Sequence, residues 1–263
     1  MSHIRPAAVS GFFYPAAPDQ LSHSIEHYLH AARAAPFVPK ALIVPHAGYV
    51  YSGAIAASAY RLLAPLRERI QRVVLLGPAH RVWVNGIALP DAECFDTPLG
   101  RIGLDISAME ALLTLPGVMR NTAAHAPEHA LEVQLPFLQT LLKDFTLVPI
   151  IVGEASGKDV ARVLEHLWGG EETLLVISSD LSHYLPYDSA CLQDADTAHL
   201  ILTLHAPLNG EQACGAAPIN GLMLAAKRHH LVPHLLDLRN SGDTAGDKAR
   251  VVGYGAFAFT ETS

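Results

Sequence analysis

Three segments of this chain each close an apolar run with a histidine: Ile43-Val44-Pro45-His46-Ala47-Gly48, Leu75-Leu76-Gly77-Pro78-Ala79-His80 and Ile177-Ser178-Ser179-Asp180-Leu181-Ser182-His183. Imidazole carries protons near neutral pH and ligates metals as the neutral ring, so the same placement repeated three times points to a shared site. Asp180 adds a carboxylate to the third segment. Cys214, in Ala213-Cys214-Gly215, precedes a predicted helix start, where the positive end of the helix dipole favours thiolate, a metal ligand or nucleophile. The alternative for Cys214 is a buried apolar side chain. Cys94 and Cys191 read as ordinary free thiols, because three widely spaced cysteines make neither a disulfide framework nor a CxxC zinc site.

A further segment, His125-Ala126-Pro127-Glu128-His129-Ala130-Leu131-Glu132, contains the HxxEH spacing of inverted zinc peptidases. That chemistry needs both imidazoles on one continuous helix. Pro127 fits a first helical turn and therefore places His125 on the preceding loop. The expectation is that His125 and His129 line a pocket as proton carriers, with Glu128 or Glu132 orienting an imidazole. A plain polar helix start is the alternative.

The elements that must position these residues follow from periodicity. Runs at 41–45, 73–76, 147–152, 174–178 and 251–259 read as strands, the first four almost wholly apolar. Such strands belong to a sheet covered by helices on both sides. Helix-spaced apolar residues fall at 21–34, 53–63, 128–142, 160–168, 189–204 and 219–229, with Pro136 expected to kink the third. Edge strands are expected near 86–89 and 232–238. In open α/β sheets ligands gather outside the carboxyl ends of the strands, so parallel, adjacent strands would bring His46, His80, Asp180 and His183 to one point. No linker, charge block or repeat divides the chain, and one domain over 1–263 is expected.

Composition narrows the class further. Half of the 263 residues are hydrophobic and 16% are charged, which excludes disorder; 19 glycines and 18 prolines without a period exclude fibrous classes. The formal charge is −7 and no Lys/Arg cluster could track a phosphate backbone, so nucleic acid is not an expected partner. No signal-like start and no apolar run of about 20 residues predict a cytoplasmic protein without a membrane span.

Seven ordered motifs carry a resemblance over almost the whole chain: 5–15 (RPAAVSGFFYP), 44–53 (VPHAGYVYSG), 77–80 (GPAH), 128–139 (EHALEVQLPFLQ), 178–184 (SSDLSHY), Cys214-Gly215 and 240–243 (NSGD). They closely resemble the Memo family, including its bacterial members called AmmeMemoRadiSam system protein B. The resemblance implies the fold of LigB-type class III extradiol dioxygenases: a single three-layer α/β/α domain around a mixed, largely parallel sheet. It also implies a metal site at His46, His80 and Cys214, with Asp180 and His183 nearby as a further ligand or acid/base. Two imidazoles and a thiolate suit iron(II) or copper, the favoured ions, and zinc fits the same donors. LigB-type enzymes hold iron(II) with two histidines and a carboxylate, and Cys214 departs from that set. The name further implies a pathway shared with a radical SAM enzyme and an AMMECR-type protein.

Tyr14, Tyr49, Tyr51 and Tyr184 belong to the same motifs. Tyr49, Tyr51 and Tyr184 are candidates to stack on or hydrogen-bond a substrate, and Asn240 and Asp243 are candidates at its rim; each has a packing or turn-forming alternative. The expected function is a metal-dependent redox protein or oxidoreductase acting on an unknown small molecule or peptide. A non-catalytic metal- or peptide-binding module and a zinc hydrolase at the HxxEH segment are the rivals.

Overall fold

Strands without a polar face are stable only inside a covered sheet. The computed structural model describes residues 3–33 and 35–262; residue 34, the last of the first predicted helix, lies outside the described residues. In chain order the strands are Ile4–Arg5 (β1), Ala41–Val44 (β2), Arg72–Pro78 (β3), Ile87–Leu89 (β4), Cys94–Thr97 (β5) and Gly100–Gly103 (β6). Val118–Arg120 (β7), Thr146–Val152 (β8), Thr173–Ser178 (β9), His183–Leu185 (β10), Val232–Asn240 (β11) and Val251–Thr260 (β12) follow. The helices are Pro18–Ala31 (α1), Tyr49–Tyr60 (α2), Ile106–Leu112 (α3), Thr122–His125 (α4), Leu135–Leu141 (α5), Gly157–His166 (α6), Tyr187–Leu202 (α7) and Ala216–Arg228 (α8).

The fold is α/β with a mixed main sheet in the order β12-β2-β9-β3-β8-β4-β7, β10 and β11 also pairing with β12; β1, β5 and β6 form a small second sheet. Its centre is parallel: β2 pairs with β9, β9 with β3, and β3 with β8. Every residue of β2 and β9 is buried. Helices α1, α2 and α5 pack as one group and α6 and α8 as another, with α2 against β2 and β12 and α8 against β3 and β9. The buried apolar side chains form one cluster from Val9 to Phe259. Among the described residues no helix is long and apolar enough to cross a membrane.

Two expectations are corrected. The strand near 86–89 is not at an edge, because β4 lies between β8, antiparallel, and β7. The single helix over 128–142 does not form: α4 ends at His125, a turn follows, and a 3-10 turn at Glu132–Gln134 leads into α5. Pro136 sits at the start of α5, where its missing N–H costs no helical bond, so it opens that helix and kinks nothing.

Candidate metal centre

Parallel order makes the strand ends converge. β9 lies between β2 and β3, so the turns after Val44, Pro78 and Ser178 leave the sheet side by side. They bring His46 and His80 to the segment between α4 and α5, which carries His129. One ligand atom from each of these three histidines lies within 4.8 Å of the others, and the ring centroids are 5.1, 5.3 and 4.7 Å apart. Gly77 permits this approach: a Cβ there would stand 3.0 Å from Leu131 Cδ2 and 3.2 Å from Ala130 Cβ. His46 is buried, His129 half-buried and His80 exposed, so the cluster opens to solvent on the His80 side.

Glu128 anchors the His80 ring and the backbone that carries His129. Its Oε2 accepts from the His80 N–H at 2.7 Å; its Oε1 accepts from His80 Nδ1 at 2.9 Å and from the His129 and Ala130 N–H groups at 3.0 Å each. Burial opposes its charge, but contacts with His129 and His80 and the Ala130 N–H outweigh it and hold the carboxyl well below the usual range. Because a carboxylate only accepts, His80 carries a proton on Nδ1, and Nε2 is the ring nitrogen not engaged by Glu128. His129 Nδ1 lies 3.2 Å from the same oxygen but makes no hydrogen bond, and is a buried polar atom without a partner. Burial, then repulsion from His80 and His129, pushes His46 well below the ordinary imidazole range, keeping the ring neutral.

The other candidates divide. Cys214 Sγ lies 3.3 Å from His46 Nε2 and 3.6 Å from the Asp180 carbonyl oxygen. Burial and then the Asp180 carboxylate push the Cys214 thiol up to about 12, opposite to the effect expected of a helix start. Asp180 Oδ1 accepts from the His46 N–H at 2.7 Å, and burial raises its carboxyl above the usual range. His183 donates from Nδ1 to the Leu181 carbonyl at 2.8 Å, leaving Nε2 to accept. Tyr184, at φ 59°, is turned outward by this local left-handed backbone and lies under the Arg250 guanidinium.

His125 stands apart from the cluster. Its Nε2 lies 2.9 Å from the Ala88 carbonyl, its ring meets Phe95, and burial lowers it to about 4. With His125 at the end of α4 and His129 in a turn, the inverted-peptidase helix is absent. Glu132 serves elsewhere too: it is ion-paired with Arg5 and accepts from the Ala8 and Val9 N–H groups and from Tyr14 Oη, fixing the amino-terminal segment. That segment lays Phe13 against His129, centroids 4.7 Å apart.

Tyr49 is buried and its hydroxyl donates to the Val133 carbonyl at 2.9 Å, whereas Tyr51 is exposed on the first turn of α2. Asn240 and Asp243 cap each other across a short 3-10 turn, with Tyr187 Oη donating to Asp243 at 2.6 Å. A cavity of about 660 Å3 is lined by Phe37, Lys40, Arg69 and His234 where β2 begins, at the opposite end of the sheet from the histidines. Sequence reasoning passed over Arg5, Gln134 and the role of Ser178. Their only signal was a polar residue inside an otherwise apolar or motif segment.

A family model described as Memo-like protein matches residues 5–258. Among curated relatives, a MEMO1 family protein of Aquifex aeolicus is 34% identical over 267 residues, covering 95% of this chain and 97% of its own. A MEMO1 family protein of Ignicoccus hospitalis is 36% identical over 284 residues, covering 97% and 98%. A third, of Metallosphaera sedula, is 31% identical over 283 residues, covering 98% and 99%.

Proposed function

The chain belongs to the Memo family, and from that premise we propose that it is a metal-dependent redox protein whose ion is held by His46, His80 and His129. The observation that carries this reading is the convergence of three imidazoles on one point with Glu128 hydrogen-bonded behind the His80 ring, the usual arrangement of a carboxylate supporting a metal-binding histidine. The donor set fits an ion: burial keeps His46 neutral, His80 bonds Glu128 through Nδ1 and has Nε2 left over, and His129 Nδ1 is otherwise an orphaned buried nitrogen. Cys214 stands beside the trio as a fourth donor. Iron(II) or copper would supply one-electron or Lewis-acid chemistry there, and zinc fits the same atoms. Asp180, which accepts from the His46 N–H, and His183 are the acid/base groups of this reading, Asp180 able to hold a proton because burial disfavours its charge. The likeness to LigB-type dioxygenases extends, in this reading, to the layering of the domain and to a small-molecule substrate.

Metal analysis of anaerobically purified protein tests the proposal. About one ion per chain is expected, lost in His80→Ala and in His129→Ala. Full retention in His129→Ala with loss in Cys214→Ala would replace the trio by the two-histidine, one-cysteine set. A second reading, a binding module without turnover, is favoured by Phe12 and Trp83, 88% and 69% exposed outside the strands and helices, and by Tyr184 of β10, 62% exposed. Oxygen uptake by metal-loaded protein with a catechol or thiol reductant, abolished by His46→Ala, favours the enzyme; no uptake favours the module.

A further inference from the structure

His80 is oriented by a carboxylate, but His46, the buried member of the trio, has none. Its Nδ1 lies 3.0 Å from Ser178 Oγ, a neutral hydroxyl that could donate or accept. The surrounding groups decide which. Ser178 Oγ is 2.6 Å from the Ala130 carbonyl oxygen, and a carbonyl can only accept, so the single hydroxyl proton of Ser178 is committed there. Gln134 Nε2 lies 2.9 Å from the Pro45 carbonyl oxygen and 2.8 Å from Ser178 Oγ. The Pro45 carbonyl, again acceptor-only, fixes the amide with its NH2 on this side, and Tyr60 Oη donates to Oε1 at 2.9 Å on the other. Ser178 Oγ therefore receives one hydrogen bond from Gln134 and has no second proton to give. The remaining contact can be made only if His46 carries its own proton on Nδ1.

We infer that Gln134 and Ser178, backed by Tyr60, are positioning residues that lock His46 in the Nδ1–H tautomer and thereby present its Nε2 lone pair to the metal. Both side chains are buried, and Ser178 Oγ is the group that meets the His46 ring at Nδ1. The inference rests on the metal-site reading for its consequence, but the tautomer itself is a property of the chain alone. The relay also joins the three segments of the site: Gln134 bonds the turn before His46, and Ser178 bonds both the His46 ring and the backbone next to His129.

The test uses full-length protein labelled with nitrogen-15 in histidine and kept free of metal. Long-range proton–nitrogen spectra at neutral pH are expected to give His46 a protonated-type Nδ1 and an unprotonated-type Nε2, and Ser178→Ala a mixture of both tautomers. Ser178→Thr, which keeps the hydroxyl, restores the wild-type pattern. Gln134→Met, of similar length, supplies a second perturbation should Ser178→Ala fail to fold. Zinc affinity by chelator competition is expected to fall about 10–100-fold in Ser178→Ala with stoichiometry unchanged. An Nε2–H tautomer in the wild type, or an unaltered His46 spectrum in both Ser178→Ala and Gln134→Met, overturns the inference. A purely structural role would lower the urea midpoint and leave the tautomer alone. Wild-type protein that shows the expected tautomer but takes up no metal overturns the metal reading instead.

Discussion

Glu128 keeps its charge where water hardly reaches because four N–H groups converge on it, two from His80 and two from the backbone of the 129–130 turn. Glu128→Gln retains the shape but sets an NH2 against at least one of those donors. We expect a loss of about 2 kcal/mol in urea unfolding, the scale of a hydrogen bond to a charged group. Metal affinity should fall about 10–100-fold in chelator competition. The folded carboxyl is depressed, so its stabilisation is complete above the unfolded value near 4.3 and is lost only as pH falls below it. At this scale the sequence spoke clearly of His46, His80 and Cys214, because strand ends and motifs mark them. It could not separate Glu128 from Glu132: both are acidic residues in one segment, and only tertiary structure sends one to His80 and the other to Arg5, 127 positions away.

At the scale of elements, the amino-terminal segment is held by a buried ion pair and lies against the centre through Phe13. Arg5→Met removes the guanidinium paired with Glu132 and leaves a carboxylate that is fully buried. Breaking such a pair costs about 3–5 kcal/mol, which denaturant unfolding would read; the freed segment should also become the first site of limited proteolysis. A subtler change is Gly77→Ala, whose Cβ would press on Ala130 and Leu131 from the end of β3. The expected cost is about 1–3 kcal/mol with metal affinity reduced as well, since the turn that must yield carries His129. The strands were legible because four of them are unbroken apolar runs. The helix over 128–142 was not, because leucines at helical spacing also suit a turn, a 3-10 segment and a short helix packed on one core, and Pro136 as readily opens a helix as bends one. The same segment was expected to give His129 a proton-carrying role beside His125, whereas the turn that replaces the helix sets His129 with His46 and His80 and leaves His125 apart.

For the whole molecule, the parallel centre was predictable and the order of its strands was not: nothing in the sequence says that β9 inserts between β2 and β3. The buried histidines should govern its acid stability. His125 is neutral and folded down to about 4 against 6.5 unfolded, so between those values the unfolded chain binds the proton and the folded chain does not. Stability is therefore full above pH 6.5 and declines as pH falls towards 4, by about 3 kcal/mol at most from this group. His46, lowered in the same direction, adds to the decline. Urea midpoints at pH 7.5 and 5 would show it, and His125→Gln should flatten part of the difference. The insertion of β9 also fixes a sequence of events in synthesis. A nascent chain that has released His46 and His80 from the ribosome still lacks the strand that lies between theirs and the hydroxyl that sets the first ring. Any ion would thus be captured only after residue 178 of 263 has been made, and a translation product arrested before β9 would lack the strand that sets the two imidazoles side by side.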